Sequence, residues 1–320
     1  MTSDNIQSLS AYNDQIDLAN LFRILWSGKW VIIAITTAAS TIAILVSLML
    51  PNIYRAEALL APHQESNASK LASQYGGLAT IAGISLPSDS LDKTALGLAV
   101  LQSRKFISEF VKRREILVPL IAANGWDAKS GKLSIDADVF DKTTGQWVRD
   151  ANPPRAVIPS LLEAHEAFSE ILLVSRNSES GLVTLSIEHY SPTIAKQWVD
   201  WLVADLNSAI MQEDVSEARE AIDYLNKRID ETSLAELRAV LFRLIEEQTK
   251  TIMLANVSAE YMFKTVDPAA IPELKAKPRR VMIVLVSAVL SGLLSVLIVL
   301  MRDVGSNAHL PASAPDGLLT

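Results

Sequence analysis

The residues able to do chemistry in this chain are few and badly placed for it. The four histidines, His63, His165, His189 and His309, are scattered with no metal-ligand spacing, and there is no cysteine to act as nucleophile or thiolate ligand. The acidic run Asp136, Asp138, Asp141 resembles the start of a calcium loop. It lacks the glycine at the sixth position and the closing glutamate, so it reads as a solvated turn. Gly76, Gly77 and Gly83 form no dinucleotide fingerprint, and no phosphate-binding loop occurs. The expectation is therefore no catalytic residue, no cofactor, no metal and no enzyme. A formal net charge of −7 argues against nucleic acid as a partner, because phosphate binding needs clustered lysine and arginine. The absence of cysteine suits an oxidising compartment without requiring one.

The elements around these residues are unusual in their hydropathy. The mean hydropathy of +0.24 is high for a soluble domain, and the apolar mass is concentrated in two runs, 31–50 and 281–301, neither holding a charge. Each is about 20 residues, or about 30 Å as a helix, the thickness of a bilayer's hydrocarbon core. A buried core helix or a signal sequence is the competing reading. Signal h-regions are shorter, and no small-x-small cleavage site follows Leu50-Pro51-Asn52. Two spans put both termini on one side and residues 51–280 on the other. The flanking charges do not decide which side. Arg23, Lys29 and Arg302 stand against Arg55, Lys275, Lys277, Arg279 and Arg280, and the positive-inside rule does not govern so long a loop.

Before the first span, residues 16–30 read as an amphipathic interfacial helix, with Asp17 as N-cap and Trp26, Lys29 and Trp30 at the membrane edge. Beyond it, 54–60 reads as a strand, 78–86 as an apolar stretch, 94–114 as one helix and 124–155 as a loop with a short hairpin. Residues 159–171 read as a helix and 182–189 as a strand, with Val183, Leu185 and Ile187 on one face. Ser191-Pro192 starts a helix that meets no glycine or proline until about Asp230, about 57 Å of rise. Met211, Val215, Ala218, Ile222, Leu225 and Ile229 form a heptad seam along it. A capping box at Ser233–Glu236 starts a second helix with Leu234, Leu237, Leu241 and Leu244 as its seam, giving an antiparallel hairpin with its tip near 231–233. A small domain cannot bury so long a helix, so the hairpin must project and find another surface.

From Thr265 to Arg280 the prolines Pro268, Pro272 and Pro278 bar regular helix and predict a stiff, extended linker into the second span. Lys277, Arg279 and Arg280 are placed to meet lipid headgroups. Within the spans, Ala39, Ala43 and Ser47, and Ser287, Ser291 and Ser295, recur every four residues, a spacing that lets membrane helices approach closely and favours a homo-oligomer.

In their order these pieces resemble the polysaccharide co-polymerases, and within them the O-antigen chain-length determinants. The carriers are the IDLANLF…W…KW entry, PNIYRAEA at 51–58, the glycine-containing apolar stretch 76–86, LQSRKF at 101–106, the long helical arm, and VDPAAIPELKAKPRR against the second span. Leu274 stands where many members carry a further proline. The resemblance implies an α+β membrane protein in which two transmembrane helices flank a periplasmic α/β base domain with a long projecting helical hairpin. It divides the chain as follows: a cytoplasmic segment at 1–30, a span at 31–50, the base at 51–190, the arm at 191–263, the linker at 264–280, a span at 281–301 and a cytoplasmic tail at 302–320. It implies a ring-like homo-oligomer in the bacterial inner membrane that sets, without catalysis, the modal length of a lipid-linked polysaccharide. The implied partner is the membrane polymerase acting on undecaprenyl-linked units. Two other readings compete. A two-span sensor needs an output domain that the short flanks cannot supply, and an export adaptor would show β-rich halves beside its hairpin and generally one span.

Overall fold

The computed structural model describes residues 23, 25–63, 93–231 and 234–307. The expectations concerning Asp17, residues 76–86, Ser233 and His309 lie outside these residues. The elements are α1 (Lys29–Met49), β1 (Tyr54–Pro62), α2 (Lys93–Leu101), α3 (Arg104–Arg113), α4 (Leu117–Ile121), β2 (Ala123–Trp126), β3 (Leu133–Ile135), β4 (Phe140–Asp141) and β5 (Gln146–Trp147). They continue with α5 (Leu161–Ile171), β6 (Leu172–Arg176), β7 (Val183–His189), α6 (Pro192–Glu231), α7 (Ala235–Val257), β8 (Phe263–Asp267) and α8 (Arg280–Asn307). They fall into two compact units: Pro51–Lys277, and the segments on either side of it.

In the flanking unit, α1 and α8 pack on each other. Both are long and apolar enough to cross a membrane, and only 6% and 17% of their most apolar windows are buried. A soluble core helix of that composition would be mostly covered, so the exposed side chains fit a lipid environment. The two helices run antiparallel. A Cβ on Gly28 would run into the Val299 side chain, and one on Gly292 would lie 4.0 Å from Thr36 Oγ1.

The unit Pro51–Lys277 is built on a four-stranded antiparallel sheet in the order β6-β7-β1-β8. The period-two pattern of β1 and β7 sets its register. Ala56, Ala58 and Leu60 stand opposite Ile187, Leu185 and Val183, and all six are buried. Over that face lie Phe106, Ile107, Phe110 and Val111 of α3, Phe168 of α5, and Trp198, Val199, Leu202 and Leu206 of α6. Phe168 links the layers, 5.4 Å edge-on from Phe110 and 6.0 Å from Trp198.

Helix α5 begins with a complete capping box: Ser160 Oγ accepts from Glu163 N, and Ser160 N donates to Glu163 Oε1. The Arg149 guanidinium donates to Glu163 Oε2 at 2.7 Å and to the carbonyls of Ala156 and Val157. Arg149 holds the Glu163 carboxyl down at about 2.

Residues 94–114 are not one helix, as expected, but two. Leu101 and Phe106 are both buried, yet on a straight helix they would point about 140° apart. The chain breaks at Gln102-Ser103, and Ser103 Oγ accepts from Phe106 N to start α3 afresh. The second arm begins at Ala235 with Leu234 in the cap position and no side-chain cap, one residue past the expected start. Strand β6, directly after α5 with no breaker between, and the short β8 are additions to the expected strands.

Candidate functional site

Among the described residues, no group of His, Asp or Glu could hold a metal ion. Asp141 is a turn residue: its carboxylate accepts from Thr144 Oγ1 at 2.8 Å and from Thr143 N at 2.7 Å, which lowers its pKa. His189 is a core residue. Its Nδ1 accepts from Ser191 N, so Nε2 carries the proton and donates to the Pro119 carbonyl. Burial pushes its pKa down.

The chain organises its charge around the linker instead. After β8 no regular structure forms up to Pro278, as three prolines demand, with one interruption. Lys277 pairs with Ile53: Ile53 N donates to Lys277 O at 3.0 Å, and Ala276 N and Lys277 N donate to Ile53 O at 2.8 and 3.2 Å. The two ends of this unit are thereby fastened together. One carboxylate secures the junction. Glu188, its side chain 6% exposed, takes Arg55 on Oε1 at 2.5 Å and Lys277 on Oε2 at 2.6 Å. Arg55 is its cross-strand neighbour in the β1–β7 register. Burial pushes the Glu188 pKa up, but the hydrogen bonds from Lys277 and Arg55 outweigh it, and the group stays below the usual carboxylate range. Of the linker residues singled out in the sequence, Pro268 and Arg279 are exposed, and Pro272, Pro278 and Arg280 are half-buried. Lys277, also singled out there as a headgroup contact, is the one whose side chain makes this clamp. By its alternation Glu188 shares the polar face of β7 with Thr184 and Ser186, so no signal in the strand's own sequence marks it.

The arm leaves the sheet at a defined point. Helix α6 is buried at nearly every inward position up to Asn207, and beyond it only Ala218 is fully covered. Asn207, 3% exposed, accepts from Met262 N and Phe263 N at 2.8 Å and donates to Phe263 O at 3.0 Å, pinning the returning chain to the outgoing helix. Asp205, two residues before Asn207, receives the Arg114 fork at 2.6 and 3.1 Å. Further out, Tyr261 Oη donates to Asp214 at 2.6 Å.

Along the arm, Met211, Val215, Ile222, Leu225 and Ile229 are half-buried and Ala218 is buried, with α7 as the helix packed alongside. On α7 the covered positions are Leu241, Ile245, Gln248, Thr251, Ile252 and Ala255. Of the leucines expected in that seam only Leu241 lies there. Leu234, Leu237 and Leu244 are exposed, and Leu237, Val240, Leu244 and Leu254 fall within about 100° of one another, leaving α7 an uncovered apolar stripe beside the covered one. In the spans, Ser47 and Ser295 are buried within the α1–α8 pair, while Ala39, Ala43, Ser287 and Ser291 are half-buried. Ser287 and Ser291 also line an outward groove on α8.

Comparison with known proteins places residues 14–114, which include α1, β1, α2 and α3, in a match to the family model described as "Wzz: Chain length determinant protein". No curated protein matches by sequence. A solved structure described as a full-length bacterial polysaccharide co-polymerase is 14% identical with a TM-score of 0.39, over 92% of this chain and 100% of that one. A fragment of WzzB, a polysaccharide co-polymerase from Salmonella Typhimurium, is 14% identical with a TM-score of 0.30, over 71% of this chain and all of the fragment.

Proposed function

We propose that this chain, which belongs to the polysaccharide co-polymerase family, is a non-catalytic regulator of polysaccharide chain length in the bacterial inner membrane. The observation that carries the reading is the chain length determinant match across the first span, the first strand and the helices that follow. In this reading residues 51–280 are periplasmic, both termini are cytoplasmic, and the partner is a membrane polymerase that extends an undecaprenyl-linked O-antigen. The protein holds the polymerase or the growing glycan in register for a set number of additions. Length follows from that engagement and not from a bond made here.

Three features support the parts of this reading. The clamp at Ile53, Lys277 and Glu188 gives the linker a fixed anchor in the sheet, so Pro268, Pro272 and Pro278 act as a stiff spacer and not a hinge. The uncovered apolar face of α7 supports a homo-oligomer, since an exposed row of large apolar side chains on a soluble arm needs a partner surface. The half-buried small residues Ser287 and Ser291 leave room for a neighbouring membrane helix.

The test is the lipopolysaccharide banding pattern in cells with and without the gene. The expected result is that deletion collapses a modal cluster of long chains into a decaying ladder, and that the intact gene restores it. An unchanged ladder, or loss of the polymer itself, overturns the reading.

A further inference from the structure

We infer that a cleft beside the clamp is a subsite for neutral sugar residues, an inference that rests on the chain-length reading above. The cleft lies within the unit Pro51–Lys277 and has a volume of about 560 Å³, within the range of about 300–1,000 Å³ typical of small-ligand sites. Its lining is divided by chemistry. Ile53, Leu120, Ile121 and Ile171 supply an apolar wall, and charged side chains from α5, β7 and the linker supply the rest.

The charge balance selects the ligand. Three cations, Arg149, Arg155 and Lys277, face four carboxylates, Glu163, Glu166, Glu170 and Glu188, and Arg55, just outside the lining, also pairs with Glu188, so the charges balance. Two of the cations are already committed, Arg149 to Glu163 at 2.7 Å and Lys277 to Glu188 at 2.6 Å. A phosphate or an acidic sugar would find every cation but the exposed Arg155 closely paired and the Glu170 carboxylate beside it, which disfavours it. A lipid tail would strip water from carboxylates it could not satisfy.

What stays available is a set of acceptors beside an apolar surface. Glu170 makes no hydrogen bond or ion pair among the described residues, and Glu166 meets Arg155 only at 3.7 Å across the exposed surface. The two glutamates are one helical turn apart on α5 and so share a face. Each carboxylate can accept from two hydroxyls, as vicinal sugar hydroxyls offer them. Tyr190, half-buried and with a hydroxyl that makes no hydrogen bond among the described residues, adds an aromatic ring beside the apolar wall. A pyranose carries an apolar C–H face and an edge of hydroxyl donors, and this lining matches both.

The experiment uses the full-length protein in nanodiscs and, as probe, the lipid-free polysaccharide released from the lipopolysaccharide of cells carrying the gene. Because the probe has no anchor, binding cannot come from a lipid. Saturation-transfer NMR is expected to show saturable contact that survives 0.5 M salt, as neutral hydrogen bonding and ring contact should (Debye length about 4–5 Å). Tyr190→Ala and Glu170→Gln are each expected to weaken it at least tenfold at an unchanged unfolding midpoint. Absence of saturable binding, loss of binding in salt, or equal binding by both variants overturns the inference. The banding pattern separates this failure from that of the parent reading. If deletion of the gene collapses the modal cluster but both variants bind and band like the wild type, the subsite is wrong and the chain-length role stands. If deletion leaves the ladder unchanged, the parent reading falls with it.

Discussion

Glu188 concentrates more of the linker's mechanics than any other side chain described. It is a buried carboxylate between two partly exposed cations, so removing one cation and removing the anion are different perturbations. Lys277→Met leaves Arg55 in place, and for a pair this exposed it should cost about 1 kcal/mol. Glu188→Gln leaves two cations facing each other across a neutral amide and should cost more, about 2 kcal/mol. The sign of the pH dependence follows from the direction of the shift. The Glu188 pKa is lowered in the folded protein from a reference of 4.5, as is that of Glu163, to about 2. Their stabilisation is complete above the unfolded value and is lost as pH falls below it through the folded values. Thermal unfolding of the detergent-solubilised chain should therefore weaken below about pH 4.5. The loss should be shallower in Glu188→Gln, and an acid limb of unchanged slope in that variant would show that the clamp does not set it.

At the scale of elements, the hairpin depends on Asn207. Asn207→Ala would leave the amides of Met262 and Phe263 without acceptors inside the protein, and a cost of about 2–3 kcal/mol is expected. The accompanying signature is faster amide exchange in β8 and the foot of α7 with α6 protected up to Leu206, which hydrogen-exchange mass spectrometry resolves. Much of this level was legible in the sequence, for definite reasons. The strand at 183–189, the start at Pro192 and the 40-residue α6 follow from a period of two, a Ser-Pro cap and a long stretch free of breakers. The second seam differs from the expected one because Leu237, Leu241 and Leu244 share one stripe by their spacing, while tertiary contact covers the adjoining stripe of Leu241, Ile245, Ile252 and Ala255, a choice that spacing alone does not encode. A local signal was also overlooked: Asp127…Gly131, Asp141…Gly145 and Asn177…Gly181 are three copies of one turn. In each, the side chain of the first residue accepts from the backbone two residues on, its carbonyl accepts from the glycine, and that glycine has φ near +70°. Read as a motif, Asx-x-x-x-Gly would have placed three hairpins where one was expected. The candidate site was less legible. The prolines stand out by type, whereas Glu188 becomes a linker residue only once β7 is paired with β1 and Lys277 returns to Ile53.

For the molecule as a whole, the exposed face of α7 is the feature that a solitary chain does not explain. Val240 is 54% exposed and Leu254 48%. Val240→Asp combined with Leu244→Asp replaces two exposed apolar groups on an arm already paired through its other face, so the fold should change by no more than about 0.5 kcal/mol per site. The assembly should change far more. The solubilised protein is expected to shift to smaller species in sedimentation velocity, and the modal polysaccharide cluster to broaden. An unaltered sedimentation profile would mean that α7 does not carry the protomer contact.

The joining of Ile53 to Lys277 has a further consequence. A domain whose chain enters and leaves through one doorway is topologically a closed loop hung on its support, indifferent to which segment is counted first. Segment 51–277 is thus suited to rearrangement: a short bridge could unite its two ends, and new ends could be opened at the exposed turn around Ser178 without cutting a strand of the sheet. Insertion into another unit of the chain asks the same of a domain, namely that its ends lie together and that it remain whole.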